Sequence, residues 1–369
     1  MSDGLSITGF ETKLIVLPLE RTLRTSIHQI STVCCLLVTV HTNEGITGEG
    51  YGFCFDIERL KAISRFTQSM EPLLRGRDPH DVEALWMDFL RSSNFYGQSG
   101  ISILAYTPLD VACWDIIGKH AGRPLYKLFG ACRERVPVYA SAGLWLSSSI
   151  DELRTEARAF LKQGFRAMKM RLGMRSIEED VARVRAVREA IGDDITLMAD
   201  ANQGLDAAKA LRLGRAVAPF NLAWFEEPVP TWNDEAAAML VRKLDTPIAS
   251  AETEYTRYGI KRMHQAGAAT VFMPDLQRMG GYTEMMKSVR YLAASDTPVS
   301  PHIFTEHSLH VVAASANATW CEHMPWFSAL FKEKLAIEDD GTVLMPDRPG
   351  TGFSFDWDAL ESYQVKNDT

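Results

Sequence analysis

The chain changes its hydrophobic rhythm once, near residue 135, and that change divides it. Residues 5–17 and 33–41 are rich in Ile, Val, Leu and Thr, and the second stretch runs through Asn43-Glu44-Gly45 into Thr47 to Gly50. A strand, a tight turn containing glycine and another strand predict an antiparallel hairpin. Residues 56–92 and 103–121 instead repeat apolar positions at helical spacing: Leu60, Ile63 and Phe66, then Leu104, Leu109, Trp114 and Ile117. Strands followed by helices predict a small α+β domain over residues 1–132, closed by Gly130-Ala131-Cys132.

From Val136 onward, short apolar strands ending in polar residues alternate with helices. Strands are expected at 136–142, 167–172, 196–201, 222–226, 248–252, 270–275, 298–302 and 319–323. Helices between them include 150–163, 177–191, 206–218, 234–243, 256–265 and 282–294. Eight strands with intervening helices over about 190 residues predict an α/β domain, a closed parallel (β/α) barrel, spanning 133–335. An open doubly wound sheet is the rival, but no GxGxxG follows a first strand. The Gly/Pro-rich tail, 336–369, is expected to pack back on the first domain.

Composition narrows the partners. A length of 369 residues suits two domains, and 46% hydrophobic with 23% charged residues is ordinary for a globular protein. A net charge of -8 argues against a nucleic acid partner. The start, MSDGLSITGFETK, lacks the basic stretch and apolar core of a signal peptide. No apolar run approaches the roughly 20 residues that span a bilayer, so no membrane partner is expected. Six cysteines at 34, 35, 54, 113, 132 and 321 form neither CxxC pairs nor a His–Cys zinc spacing. A cytoplasmic location is expected, with Cys34 and Cys35 as small buried hydrophobes.

In a parallel barrel, functional residues sit at the C-terminal ends of strands. Strand two ends in Lys169-Met170-Arg171, whose i, i+2 spacing puts both cations on one face. Strand three ends in Asp200-Ala201-Asn202 and strand four in Glu226-Glu227-Pro228. Glu252, Asp275, His302 and Glu322 end strands five to eight. Taken singly, each has an ordinary explanation: Asp200 as a helix N-cap, Glu227 as a surface charge, Lys169 as a solvated side chain. Seven consecutive strands delivering charge to one rim do not, because such residues are rarely buried unless paired or ligating a metal. Asp200, Glu226 and Glu252 offer three hard oxygen ligands on adjacent strands. That set suits Mg²⁺, which takes oxygen donors and retains waters; zinc fits less well without His or Cys in the trio.

The chain resembles the enolase superfamily, mandelate racemase subgroup, over nearly its whole length. The resemblance rests on residues 109–130 (LDVACWDIIGKHAGRPLYKLFG) in the first domain. In the second it rests on KMR (169–171), DAN (200–202), EEP (226–228), AETE (251–254), PDLQRMGG (274–281) and SPH (300–302). It implies a modified TIM barrel with an N-terminal capping domain, and Mg²⁺ held by Asp200, Glu226 and Glu252. It further implies His302 as general base with Asp275 as its paired carboxylate. Glu322 and Lys169 would lie beside the substrate carboxylate, and Asn202 would reach the substrate. Superfamily sites use a Lys or His base with Mg²⁺ to stabilise an enediolate.

The departure is Arg171, where the subgroup often carries a second lysine that serves as base on the opposite face. Arginine stays protonated and is a poor base, which counts against two-base racemisation. Arg171 suits a bidentate grip on a carboxylate or electrostatic support. One base suffices to dehydrate an acid sugar, an aldonate or aldarate, to a 2-keto-3-deoxy acid. In this scheme Glu322, if protonated, donates a hydrogen bond to the enediolate. A racemase, epimerase or cycloisomerase using the same enediolate is the alternative; a non-catalytic barrel would need neither the Asp275–His302 pair nor Lys169. Specificity is expected from capping loops at 19–31, with Arg24 and His28, at 50–56, with Tyr51, and at 93–100. The expected partners are a small-molecule carboxylate substrate and further copies of the chain in a homo-oligomer.

Overall fold

The computed structural model describes residues 4–365. The first domain is built on β1 (Ile7–Arg24), β2 (Gln29–Thr42) and β3 (Thr47–Cys54), joined as an antiparallel meander. Cys34 and Cys35 are buried in β2, and no cysteine among the described residues is in a disulfide. The sequence reading took 19–31 and 50–56 as loops, but the strands extend into both. β1 reaches Arg24 after a bulge between Pro18 and Leu23, leaving only 25–28 as a turn. Gly50 and Gly52, which fall in the expected loop at 50–56, lie with Gly48 on one face of β3. A Cβ at Gly48 would stand 2.0 Å from the Ala112 carbonyl oxygen, and one at Gly50 2.2 Å from that of Pro108. Glycine is needed there so that β3 can lie against the helix Ile101–His120. That helix is long and apolar enough by composition to cross a membrane, which differs from the expectation that no run approaches that length. Here it is mostly buried inside the protein.

The second domain is a ring of parallel strands: β4 (Arg135–Ala140), β5 (Ala167–Arg171), β6 (Thr196–Asp200), β7 (Leu222–Glu226), β8 (Ile248–Ser250), β9 (Val271–Phe272) and β10 (Cys321–His323). Hydrogen bonding runs β10-β4-β5-β6-β7-β8-β9. The seventh expected strand, 298–302, is not a continuous strand. It contributes single bridges, Phe272 to Val299, Val299 to Ala318 and Asp275 to His302, which carry the ring from β9 toward β10. Helices fill the intervals, and Ser149–Glu152 and Ser176–Glu179 capping boxes start two of them at Ile150 and Ile177. Near the end of the chain, β11 (Thr342–Leu344) adds antiparallel to β4 and β12 (Gln364–Val365) to β1. The tail therefore hydrogen-bonds to both domains.

Sharp turns follow the strand ends. Asn202, Gln203, Glu227, Ala251, Ile303 and Phe304 all have positive φ, between 37° and 95°. Non-glycine residues enter this region at a cost of about 1–3 kcal/mol each, and they cluster where packing fixes a functional loop.

Candidate active site

Lys169, Arg171, Asp200, Asn202, Glu252, Asp275, His302 and Glu322 line one cavity of about 430 Å³ at the C-terminal mouth of the ring. Alternation along β5 sends Lys169 and Arg171 inward together. In-register pairing of β5, β6 and β7 then sets Arg171, Asp200 and Glu226 side by side.

The Lys169 ammonium is buried among carboxylates: 2.6 Å from Glu226 Oε1, 3.0 Å from Glu322 Oε1 and 3.6 Å from Asp200 Oδ2. Burial alone would lower its pKa, but Glu226, Glu322 and Asp200 outweigh that and hold it above the usual lysine value. Lys169 therefore stays charged. Burial and Asp200 push Glu226 up to about 8, against the pull of Lys169. Its second oxygen accepts from the Trp224 indole at 2.9 Å. Burial would also raise Glu322, yet Lys169, His302 and Ser141 bring it well below the usual carboxylate range. Glu322 accepts from Ser141 Oγ at 2.5 Å and from the Ile303 amide at 2.8 Å. Both of its oxygens therefore accept hydrogen bonds in this arrangement.

His302 Nδ1 lies 2.7 Å from Asp275 Oδ2, and its Nε2 faces Glu252 Oε2 at 3.4 Å. Asp275 is itself fixed as an N-cap, its other oxygen accepting from the Arg278 amide at 2.9 Å. Burial lowers the imidazole pKa, but Glu252 and the Asp275 hydrogen bond prevail and raise it to about 9. Arg171 is buried, with Nη2 donating to Ser141 Oγ at 3.1 Å and its guanidinium 4.8 Å from the Trp145 ring centroid. Nε approaches Asp200 at 3.4 Å without hydrogen-bond geometry, so Nε and Nη1 have no hydrogen-bond partner. Asn202 is turned back on Asp200, its Nδ2 at 3.0 Å from Oδ2, and its Oδ1 is unpartnered.

No three His, Cys, Asp or Glu side chains among the described residues are drawn into one ion-sized cluster. Asp200 and Glu226 face Lys169, and Glu252 faces His302. The donor chemistry still fits a hard divalent cation. Three carboxylates end adjacent strands, and Asp200 and Glu252 both add to the electrostatic pressure on Glu226.

Two expected residues fall elsewhere. Tyr51 is wholly buried, packed against Phe304, His307, Phe327 and Phe331, and contributes to the core rather than to the cavity. Tyr51 shares its face of β3 with Phe53, which does line the cavity, but it lies two residues further back along the strand, covered by those rings. Arg24 is exposed at the end of β1, outside the cavity lining, while His28 in the turn does line it. The sequence reading missed Ser141, Trp145, Arg278 and Trp326. Ser141, just beyond β4, was within reach of the strand-end rule applied to strand one; the tryptophans carried no local signal.

Two sequence profiles account for most of the chain. Residues 11–130 match the N-terminal domain of mandelate racemase / muconate lactonizing enzyme, and residues 152–359 match an enolase C-terminal domain-like profile. The chain belongs to the enolase superfamily. As a superfamily member it is 33% identical to L-talarate/galactarate dehydratase of Salmonella typhimurium, over 88% of this chain and 81% of the relative. It is 34% identical to 3,6-anhydro-alpha-L-galactonate cycloisomerase of Streptomyces coelicolor, over 96% and 98%. The crystal structure of L-talarate dehydratase from Polaromonas sp. JS666, complexed with Mg and L-glucarate, superposes with a TM-score of 0.91 at 32% identity, covering 98% of each chain. These relatives are acid-sugar dehydratases and cycloisomerases, and this superfamily member is an enzyme.

Proposed function

We propose that the enzyme abstracts the proton α to a substrate carboxylate, with His302 as base and Asp200, Glu226 and Glu252 holding Mg²⁺, and that it dehydrates an acid sugar. The observation that carries this reading is the His302–Asp275 pair at 2.7 Å, in a cavity that Lys169 and Arg171 also line. Asp275 fixes the tautomer by engaging Nδ1; Glu252 is the largest cause of the raised imidazole pKa, and with that carboxylate engaged in holding Mg²⁺ the imidazole would be free to lose its Nε2 proton and take the one at C2.

Removing that proton adds a second negative charge to the carboxylate. The chemistry that Mg²⁺ supplies when bound is neutralisation of this charge. Lys169, held protonated, does the same from the protein side. Ionised Glu322 keeps Lys169 charged and oriented, while the two unpartnered N–H groups of Arg171 are available to substrate oxygen. The C2–H electron pair passes into the carboxylate to give the enediolate; as that collapses, the pair forms the C2–C3 double bond and the C3 hydroxyl leaves as water, protonated by the His302 imidazolium. The enol then gives the 2-keto-3-deoxy acid.

A second reading, cycloisomerisation through the same enediolate, is favoured by one observation. The Streptomyces coelicolor cycloisomerase matches over 98% of its own length, against 81% for the Salmonella dehydratase. The test is NMR of acid sugars of both C2 configurations in D₂O, with wild type and His302→Asn. Exchange at C2 of one epimer, lost in His302→Asn, is expected. Exchange surviving in that variant would remove His302 as base. Washout into both epimers would mean a second base and a racemase or epimerase.

A further inference from the structure

Beneath the charged mouth, the ring of strands carries a second inward layer. Trp224 precedes Glu226 by two residues on β7, and alternation points both side chains into the ring. Tyr139 on β4 and Met198 on β6 join Trp224 there, all buried. The Trp224 and Tyr139 rings meet edge-on at 5.5 Å, and the Lys169 ammonium lies 5.5 Å from the Tyr139 ring centroid. This aromatic pair is a floor under the carboxylates.

Of the three carboxylates on adjacent strands, Asp200 and Glu252 line the cavity, whereas Glu226 is wholly buried. Asp200 is held by its own turn, accepting from the Asn202 amide at 2.7 Å. Glu226 is held from two sides. Its Oε1 accepts from Lys169 at 2.6 Å and its Oε2 from the Trp224 indole at 2.9 Å.

These two donors differ in kind. Lys169 is a cation, so it and a divalent ion repel each other and compete for Oε1. The indole N–H is neutral and donates only, so it can stay on Oε2 whether or not a metal is present. Tyr139 packs against the indole and leaves it little room to follow a carboxylate that turns. Each carboxylate oxygen has two lone pairs, so Oε2 keeps acceptor capacity beside the indole. Trp224 is thus the permanent partner of Glu226, and Lys169 the exchangeable one. Ligand direction matters most to Mg²⁺, which demands near-ideal octahedral geometry, while Ca²⁺ accepts flexible arrangements.

We propose that Trp224 is a positioning residue for the metal: its indole N–H fixes the orientation of Glu226, and that orientation gives the site its preference for Mg²⁺ over larger, more tolerant divalent cations. The inference rests on Asp200, Glu226 and Glu252 as the metal ligands and deepens that assignment. Trp224 does not line the cavity and acts only through Glu226.

Titration calorimetry of the full-length protein with Mg²⁺ and with Ca²⁺, without substrate, tests this in Trp224→Phe. That variant removes the N–H and keeps a ring against Tyr139. Mg²⁺ affinity is expected to fall about 10- to 100-fold, the usual range for loss of a partner that orients a metal ligand. Ca²⁺ affinity should fall by less, so that the ratio of the two affinities shrinks. Trp320→Phe, which changes another tryptophan packed against the same cluster, should leave both affinities near wild type. If Trp224→Phe does not fold, benzothienylalanine at position 224 gives the same comparison, since its ring keeps the indole shape with sulfur in place of N–H. Mg²⁺ affinity unchanged by loss of the N–H would overturn the proposal. So would Mg²⁺ and Ca²⁺ affinities lowered by the same factor, because the indole would then serve packing alone. Glu226→Gln separates this from the ligand assignment. Mg²⁺ binding lost in Glu226→Gln but unchanged in Trp224→Phe would remove the role of Trp224 and leave the ligands standing. Mg²⁺ bound equally by wild type and Glu226→Gln, or by neither, would remove both.

Discussion

The two halves of the cavity are built in opposite ways. The charged half comes from strand ends, where Lys169, Asp200, Glu226 and Glu322 are buried and compensate one another at 2.6 to 3.6 Å. The aromatic half, where Phe53, Phe55, Trp145 and Trp326 line the cavity, comes from the end of β3, from the segment after β4 and from the segment after β10. Trp326 and Phe55 there keep part of their surface in solvent. Backbone pairing fixes position on one side, and ring packing on the other. A change among the strand-end charges should therefore strike turnover and stability, whereas a change among the rings should strike affinity.

The sharpest way to break this contrast is His302→Asn. Loss of a positioned base is expected to lower kcat by roughly 10²- to 10⁴-fold. Far-UV circular dichroism and Mg²⁺ affinity should stay near wild type, and a rise in KM with kcat unchanged would put His302 among the affinity residues instead. Next is Lys169→Ala, which leaves Glu226, Glu322 and Asp200 buried without their shared cation. Breaking such a network typically costs about 3–5 kcal/mol, readable by denaturant titration. Stability within error of wild type would show that the carboxylates reach other partners.

Mg²⁺ itself should stabilise the fold without any substrate. At one hundred times its Kd, mass action predicts about 2.7 kcal/mol, seen as a higher Tm that EDTA reverses. A Tm indifferent to Mg²⁺ would contradict Asp200, Glu226 and Glu252 as its site.

The smallest effect tests what happens to a buried carboxylate held by backbone rather than by Lys169 and its neighbours. Asp110 Oδ2 accepts from the Thr283 amide at 3.1 Å, joining the capping helix to the barrel. Burial raises its pKa to about 7, above the ordinary value of 3.8 that applies in the unfolded chain. Its contribution is complete below about pH 4 and lost as pH rises through about 7. Asp110→Asn should therefore gain on wild type between pH 5 and pH 8, as a Tm difference that becomes more positive with pH. A difference constant with pH would show that Asp110 ionises freely in the fold.

Some of this was legible in the chain and some was not. Alternation along a strand is a local property, so Lys169 and Arg171 two residues apart read at once as neighbours on one face. Residue type was a poorer guide at β3. Gly50-Tyr51-Gly52 reads as a lid because glycine is common in turns, yet Gly50 admits the helix backbone, Gly52 admits the Gln277 side chain, and Tyr51 points into the core. The seventh strand read as continuous from its composition, but only Val299 and His302 bridge to their neighbours. Arg24 was proposed for the cavity because its loop was expected at the mouth, but β1 carries it past as a strand.

The sequence alone determined the order and spacing of the strand-end charges, because side-chain direction along a strand follows from the backbone, and a parallel barrel sends every strand end to one rim. It also determined that position 171 carries a permanent cation rather than a base. Only the tertiary structure decided that Trp145 and Trp326, 181 residues apart, stack on one another and so shape the outer cavity. Their separation along the chain leaves no local periodicity to read, and their contact exists only once the barrel brings β4 beside β10.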